Sequence, residues 1–468
     1  MSAPLIRLHD VEAFERWTPF VRPFRFGAVT VEGAFQAFVR VVVEVEGHGR
    51  ATGMAAELMP PKWFDKRAER SADDTVRDLK RSLSHAVAEA NALGRTDTAF
   101  GLHAELNGRQ LAFARAKDIT PLSANFGVAE IDKAVLDGLS KALGASFVSV
   151  LNGNAVGLDN RLTPDLTQAA INSRLGLLKP ASSIAIRHTV GLNDRIEGED
   201  SLASELDAAA LRYFKIKVGG DPAADIIRLK AIAAVLDARG IDYRATLDAN
   251  EQYAPEDLVR LYALAEGDPT LANLFSRLMF IEQPLDRRVT FVRELDPRIA
   301  AKGVIIDEAD DGYDAFPRAK ALGYRGVSSK CCKGLYKSLL NAARVALWNA
   351  EKTGGPDFII SAEDLTCQPG LAVQQDTALV AALGLTHVER NGHHYVDGFG
   401  LAPAGEAQRF HDAHPALYAG AGGAVRLNVA SGDLDTTSLY GSGFASGAEP
   451  DWASLEPLSL SVSEGLPA

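Results

Sequence analysis

Tyr213-Phe-Lys-Ile-Lys-Val-Gly-Gly-Asp221 is the stretch from which the fold and chemistry of this chain are read. Residues 213–218 have the aromatic and β-branched content of a short buried strand, and Gly219-Gly220 supplies the turn that ends it. Alternate residues of a strand share a face, so Lys215 and Lys217 point the same way. Two buried ammonium groups side by side are costly to a strand with only a structural role. For chemistry the pair is useful, because each charge disfavours protonation of the other and burial adds to the effect. A lysine at its usual value of about 10.4 is no base at neutral pH, whereas a desolvated lysine with a cationic neighbour is one. The alternative is an edge strand carrying two solvated lysines.

Outward from this stretch the chain keeps one rhythm. Short apolar runs recur at 183–190, 213–218, 243–248, 278–282, 303–307, 326–330, 358–361 and, more weakly, 385–390, with helical segments between them. Strands and helices alternating at intervals of roughly 25–35 residues predict a parallel α/β barrel over 182–400. Residues 1–150 read as a separate α+β unit. It has antiparallel strands up to about Glu57 and amphipathic helices at 71–93 and 128–143, the second stopped by Gly144. Two of its segments read as loops: 18–27, with three phenylalanines and two arginines between prolines, and 51–59 before Pro60-Pro61. The Gly/Ala/Ser-rich segment 401–468 reads as a return to the first unit.

Composition narrows the function. A chain of 468 residues, 47% hydrophobic and 24% charged, suits a multidomain globular protein. A net charge of -12 argues against a nucleic-acid partner, and no basic run marks a membrane surface. The three cysteines, Cys331, Cys332 and Cys367, are too few for a disulfide framework and suit a reducing cytosol. With no leader-like start and no long apolar run, a cytoplasmic location is expected. Cys331-Cys332 reads as a pair of core thiols, and His393-His394 and His411/His414 read as solvated faces.

Barrel enzymes carry their sites at the C-terminal ends of the strands. Those ends read Lys217, Asp248, Glu282, Asp307 and Lys330, so three successive strands each deliver a carboxylate. Carboxylates meeting in one barrel mouth repel each other unless a cation joins them, and all-oxygen ligation points to a hard ion such as Mg²⁺. The second and sixth strands stand on opposite sides of the mouth, which places Lys217 and Lys330 on either side of a reacting carbon. That arrangement suits removal of a proton next to a carboxylate.

The motifs Lys215-x-Lys217, Asp248-Ala-Asn250, Glu282-Gln-Pro284, Asp307-Glu308 and Lys330, in that order, resemble the enolase superfamily, and within it the muconate-lactonizing enzyme-like subgroup. The resemblance implies a modified (β/α)₇β TIM-like barrel, an α+β N-terminal capping domain completed by the C-terminal tail, Mg²⁺, and a homo-oligomer acting on a small-molecule carboxylate. By position it implies Asp248, Glu282 and Asp307 as metal ligands, Lys217 and Lys330 as acid/base residues, and Lys215 as the cation that tunes Lys217. The 18–27 loop, including Phe24, and the 51–59 loop would close over the substrate. Asn250, Glu308, Lys333 and Glu363 are further candidates for substrate contact. Lys333, followed by a single glycine where the subgroup has a pair, competes with Lys330 for the catalytic role. The eighth strand lacks the Asp-x-Asp that favours dipeptide epimerases, and the seventh lacks the histidine of a mandelate-racemase reading. A base on each face favours racemisation or epimerisation. Cycloisomerisation, a β-elimination of the o-succinylbenzoate-synthase kind, and a catalytically silent ligand-binding relative remain as alternatives.

Overall fold

The computed structural model describes residues 3–27, 29–421 and 423–462; the last six residues of the predicted C-terminal return lie outside this range. The N-terminal sheet is antiparallel, built from β1 (Ile6–Phe26), β2 (Val29–Val45) and β3 (Gly49–Met59). Three helices cover it: α1 (Ala72–Ala92), α2 (Ala99–Ala116) and α3 (Pro121–Ala142). Sequence periodicity finds α1 and the second half of α3. It misses α2, whose Gly101, Asn107 and Gly108 interrupt the apolar stripe. α3 lies tight against β3, because a Cβ on Gly53 would sit 1.9 Å from the Ala134 carbonyl oxygen.

Both segments read as loops are strands. Segment 18–27 continues β1, paired to β2 through Thr18↔Ala34, Pro19↔Gly33 and then Phe24↔Val31, with an irregularity between Pro19 and Phe24. A proline lacks the ladder donor, so Pro19 and Pro23 are tolerated only on an edge or at such a break. Segment 51–59 is the body of β3 and pairs with β2 without interruption from Gly49↔Val45 to Met59↔Phe35. Its small side chains fit the close approach of α3.

The barrel is formed by eight parallel strands: β4 (Ser183–Val190), β5 (Tyr213–Lys217), β6 (Arg244–Asp248), β7 (Leu278–Glu282), β8 (Val304–Ile306), β9 (Gly326–Ser329), β10 (Ile359–Ala362) and β11 (His387–Arg390). They follow one another in chain order from β4 to β10, with β11 beside β4. The predicted (β/α)₇β barrel with a separate antiparallel unit is therefore what the chain forms. The turn after β5 shows how the local sequence sets the geometry. Gly220 takes a positive φ of 89°, where a Cβ would lie 2.4 Å from the Gln252 carbonyl oxygen. Asp221 then caps the next helix by accepting from the Ala223 and Ala224 amides, and Pro222 occupies the first turn.

Two short strands, β12 (Tyr418–Ala421) and β13 (Ala424–Leu427), form a hairpin after the barrel, and β14 (Asp433–Asp435) pairs antiparallel with β4. The described part of the tail ends beside the first unit, where β15 (Glu456–Pro457) pairs with β1. No helix among the described residues is long and apolar enough to cross a membrane.

Barrel and cap meet over a buried charge cluster. Glu57 of β3 and Glu130 of α3 share one ammonium, Lys133, at 3.3 and 3.1 Å. From the barrel side the Cys367 thiol lies 3.6 Å from Glu57 Oε1. One lysine cannot neutralise two carboxylates, so a proton stays in the cluster. Burial pushes the Glu57 carboxyl up to about 8, against the pull of Lys133 and with help from Glu130 and Asp376. A folded-state value above the unfolded one near 4.5 means stability is fully present at low pH and lost as pH rises through about 8. The unfolding free energy of the parent should fall by a few kcal/mol between pH 5 and 9, as read by urea denaturation. The Glu57→Gln variant should fall distinctly less.

Candidate active site

At the C-terminal mouth of the barrel, side chains from all eight strands and their following residues meet in a buried ionic network. Lys215, at the centre, is 1% exposed. Its Nζ lies 2.9 Å from Asp248 Oδ2, 2.8 Å from Glu282 Oε2, 2.7 Å from Glu363 Oε2 and 2.8 Å from Glu389 Oε2. Burial alone would lower the Lys215 value, but Asp248, Glu282, Glu363 and Glu389 outweigh it and hold the ammonium well above its ordinary range.

Lys217, two residues on, donates to Asp248 Oδ2 and, at 3.0 Å, to Asn250 Oδ1. Across the mouth, Lys330 donates to Asp307 Oδ2. Burial opposes its charge, and Asp307 raises its value well above the ordinary lysine range nonetheless. Asp307 is in turn held well below the usual carboxylate range by Lys330 and Lys333, against its burial. Glu282 goes the other way. Burial raises it, and Asp248 and Glu363 raise it further than Lys215 can offset. Its Oε1 accepts from Lys215 at 2.9 Å, whereas its Oε2 has no hydrogen bond despite lying near the same nitrogen.

The structure brings most of the predicted residues to one place and separates others. Phe24, Lys215, Lys217, Asn250 and Lys330 line a single cavity of about 30 Å³, together with Phe26, Pro60, Trp63, Asp364, Leu365, Thr366, Glu389 and Asn391. That volume holds about one water, so the cap is shut over the mouth. Lys333 does not reach this cavity. Its Nζ is turned to Asp307 Oδ1 (3.1 Å), Asp310 Oδ2 (3.3 Å) and Ser328 Oγ (2.6 Å), and it borders a second cavity beneath α2 and α3. Of the two competing lysines, Lys330 is the one facing Lys217 across the cavity. Glu308 also stands behind the cavity wall, accepting from Asn250 Nδ2 at 3.0 Å and pairing with Lys66 at 2.7 Å. Glu363 sits beneath Lys215, tied to Arg187 and Ser361. The metal-ligand candidates Asp248, Glu282 and Asp307 are buried on adjacent strand ends. As the side chains lie, no three His, Cys, Asp or Glu groups among the described residues surround one point at metal spacing, because lysine ammonium groups rest on the oxygens.

Glu389 is the residue that sequence reasoning passes over. It is the third residue of β11, and its Oε1 accepts from Thr189 Oγ1 at 2.7 Å while Oε2 meets Lys215. Glu389 and Asp364 also close the barrel, since no strand ladder joins β10 to β11 among the described residues. The Asp364 amide donates to Glu389 Oε2 at 3.0 Å, and the Asn391 amide donates to Asp364 Oδ2 at 2.8 Å. His394, expected in solvent, is buried instead. Arg22 of β1 crosses it at 3.3 Å and Glu205 pairs with it at 3.1 Å, because the hairpin of β1 and β2 folds down over that loop. His414 is likewise buried, bonded to Ser438 Oγ at 2.9 Å. Cys331 and Cys332 are buried thiols, as expected.

Comparison with known proteins finds likeness in structure. No protein-family model matches the sequence, and no curated protein sequence matches it. A dipeptide epimerase from Enterococcus faecalis V583, solved with Mg and the dipeptide L-Leu-L-Tyr, superposes with a TM-score of 0.60 at 16% identity, covering 94% of this chain and 99% of its own. An enolase from Bradyrhizobium, solved with magnesium and mandelic acid, gives a TM-score of 0.60 at 17% identity, covering 96% and 97%. A member of the enolase superfamily from Listeria innocua gives 0.60 at 14% identity, covering 97% and 100%. At such identities the likeness is one of fold, and it extends over cap and barrel together.

The seam between β10 and β11 depends on Arg390, which pairs with Asp376 at 2.7 Å and Asp364 at 3.3 Å. Removing a buried partner strands the opposite charges. Arg390→Met is therefore expected to cost about 3–5 kcal/mol in urea unfolding and to speed amide hydrogen exchange through 387–391.

Proposed function

We propose that this chain, which has the fold of the enolase superfamily, is a Mg²⁺-dependent enzyme that removes the α-proton of a small carboxylate and returns it to the opposite face. The observation that carries this reading is the pairing of Lys217 and Lys330 in one closed cavity, with Lys215 as a permanent cation beside them. Asp248, Glu282 and Asp307 are hard oxygen donors on adjacent strand ends. Glu282, with its raised carboxyl and an oxygen lacking any hydrogen bond, leaves a demand for further positive charge. That donor chemistry fits a hard divalent ion, and these three residues would hold it. When bound, Mg²⁺ supplies a fixed positive charge that acidifies a carbon next to a carboxylate. The solved relatives from Enterococcus and Bradyrhizobium carry magnesium.

The chain's own residues account for the proton traffic. The substrate carboxylate enters a mouth lined by the ammonium groups of Lys215, Lys217 and Lys330. On one face an amine takes the α-proton as its C–H bond breaks, leaving the electron pair delocalised over the carboxylate as an enediolate. On the other face the opposing ammonium, Lys330 in the state described above, gives a proton to the same carbon. The product then has inverted configuration and the two lysines have exchanged protonation states. Phe24, Phe26, Pro60 and Trp63 close the cavity and exclude water, which would otherwise quench the anion and weaken each charge interaction. Cycloisomerisation and β-elimination begin with the same proton removal and differ in the fate of the anion.

Both enantiomers of mandelate, and L-Leu-L-Tyr with its epimers, incubated with enzyme and Mg²⁺ in D₂O within a broader carboxylate panel, should gain deuterium at the α-carbon. Lys217→Ala and Lys330→Ala should each abolish exchange from one hand, by at least about 100-fold. No exchange from either hand across the panel would favour a silent ligand-binding relative. A rearranged or dehydrated product would select one of the other two reactions.

A further inference from the structure

The two amines of the cavity are held by different means. Lys217 has two side-chain acceptors, Asp248 and Asn250. Lys330 has one carboxylate, Asp307, and its Nζ lies over the ring of Trp63, 4.2 Å from the centroid. Trp63 belongs to the cap. It is 5% exposed and stands edge-on to Phe64 at 4.8 Å, and Phe64 is edge-on to Phe126 of α3 at 5.5 Å.

The segment bearing this indole is strapped to the barrel by charge. Arg287 donates to the carbonyl oxygens of Trp63 and Phe64 at 3.1 and 2.9 Å while paired with Glu251 at 2.8 Å. Lys66 reaches from the same segment to Glu251 (2.9 Å), Glu308 (2.7 Å) and the Asn250 carbonyl oxygen (3.0 Å). Glu251 and Glu308 each lie next to a residue of the mouth, Asn250 and Asp307. The strap therefore docks Trp63 against barrel residues whose positions are fixed by the mouth itself.

We infer that Trp63 is a positioning residue for Lys330, fixing the direction of its amine and making the two faces of the cavity unlike. The inference deepens the proposed function and rests on that reading for its catalytic consequence. An ammonium has three donors on a flexible four-carbon stem. Asp307 takes one, the indole face covers a second direction, and the remaining donor is left for the cavity. A desolvated cation over an indole is held strongly enough to affect rate by an order of magnitude. Without the ring, Lys330 keeps its carboxylate but loses the constraint on where its free proton points. Lys217, held by two side-chain acceptors, does not.

The test has one arm that requires no turnover. In protein labelled with ¹³C at lysine Cε, the Lys330 signal, identified by its loss in Lys330→Ala, should be shifted upfield by the ring current of Trp63. Trp63→Leu should return it to the ordinary lysine position, and Trp63→Phe should retain part of the shift. In the second arm, Trp63→Leu should slow D₂O exchange at least about tenfold from the mandelate enantiomer whose exchange requires Lys330. The other enantiomer should change by less than about threefold on the same scale, and Trp63→Phe should restore the lost hand. A Lys330 signal with no ring-current shift in the parent overturns the inference, whether or not exchange occurs. Equal loss from both hands in a folded Trp63→Leu protein overturns it as well, since a merely structural residue would behave that way. A ring-current shift that behaves as described in a parent showing no exchange supports the placement of Lys330 by Trp63 and sinks the proposed reaction instead.

Discussion

The Lys215 ammonium lies within 2.7–2.9 Å of oxygens from four carboxylates, on β6, β7, β11 and just beyond β10. Those elements span the barrel mouth, so a single side chain on β5 ties both sides of it together. Around it Lys217, Lys330, Lys333 and Arg187 are set against Asp248, Asp307 and Glu363, while the Glu282 carboxyl is raised well above its usual range. Buried ion networks are rarely the most stable solution for a core, because desolvation offsets much of the attraction. A barrel interior of branched aliphatic residues would hold the fold more simply. The network makes sense as a means of holding amines and carboxylates in fixed directions in a dry place, and the fold carries its electrostatic cost.

The cap completes the arrangement. Its sheet and helices form a packed unit, and what they bring to the mouth is narrow: Phe24 and Phe26 from the end of β1, and the strapped segment from Pro60 to Lys66. The phenylalanines reach the mouth because β1 runs past its break at Pro19 and carries the chain over the barrel. Phe24 stacks on Tyr395 at 4.2 Å, which joins that edge of the cap to the loop after β11. The strapped segment reaches the mouth by ionic bonds to Glu251 and Glu308. One side of the lid is thus apolar and the other is charged, and any molecule much larger than water must displace one or both to enter a cavity of about 30 Å³.

Much of this was legible in the sequence because barrel strands announce themselves. A short apolar run ending in Lys, Asp or Glu, followed by Gly, Pro or Asn and then a helix, has few other readings. Lys217, Asp248 and Glu282 were found at their strand ends for that reason, and Asp307 and Lys330 by the apolar run that precedes each. What the sequence concealed depends on contacts distant along the chain. Glu389 has no local motif, and its value comes from β11 closing beside β4, which brings it to Lys215. Alternation along β11 would have turned it inward, and that was the one usable signal. Trp63 and Lys66 follow two prolines in what looks like a connecting turn, and only docking of the cap reveals their partners. The prolines of 18–27 and the small residues of 51–59 imitated loops. Pairing with β2 and the close approach of α3 at Gly53 override that local composition.

The Lys215 ammonium is what allows Asp248, Glu363 and Glu389 to share the mouth in ionised form beside the raised Glu282 carboxyl. The most direct measurement is the pH dependence of urea unfolding in Lys215→Met, a substitution of similar length without charge. With the ammonium gone, Asp248, Glu363 and Glu389 must take up protons to remain buried together, raising values that Lys215 now holds down above those of the unfolded chain. Stability of the variant should then decline as pH rises, and its deficit relative to the parent should grow from small near pH 5 to about 3–5 kcal/mol near pH 8. A deficit that is negligible at pH 8, or constant across the range, would contradict the account.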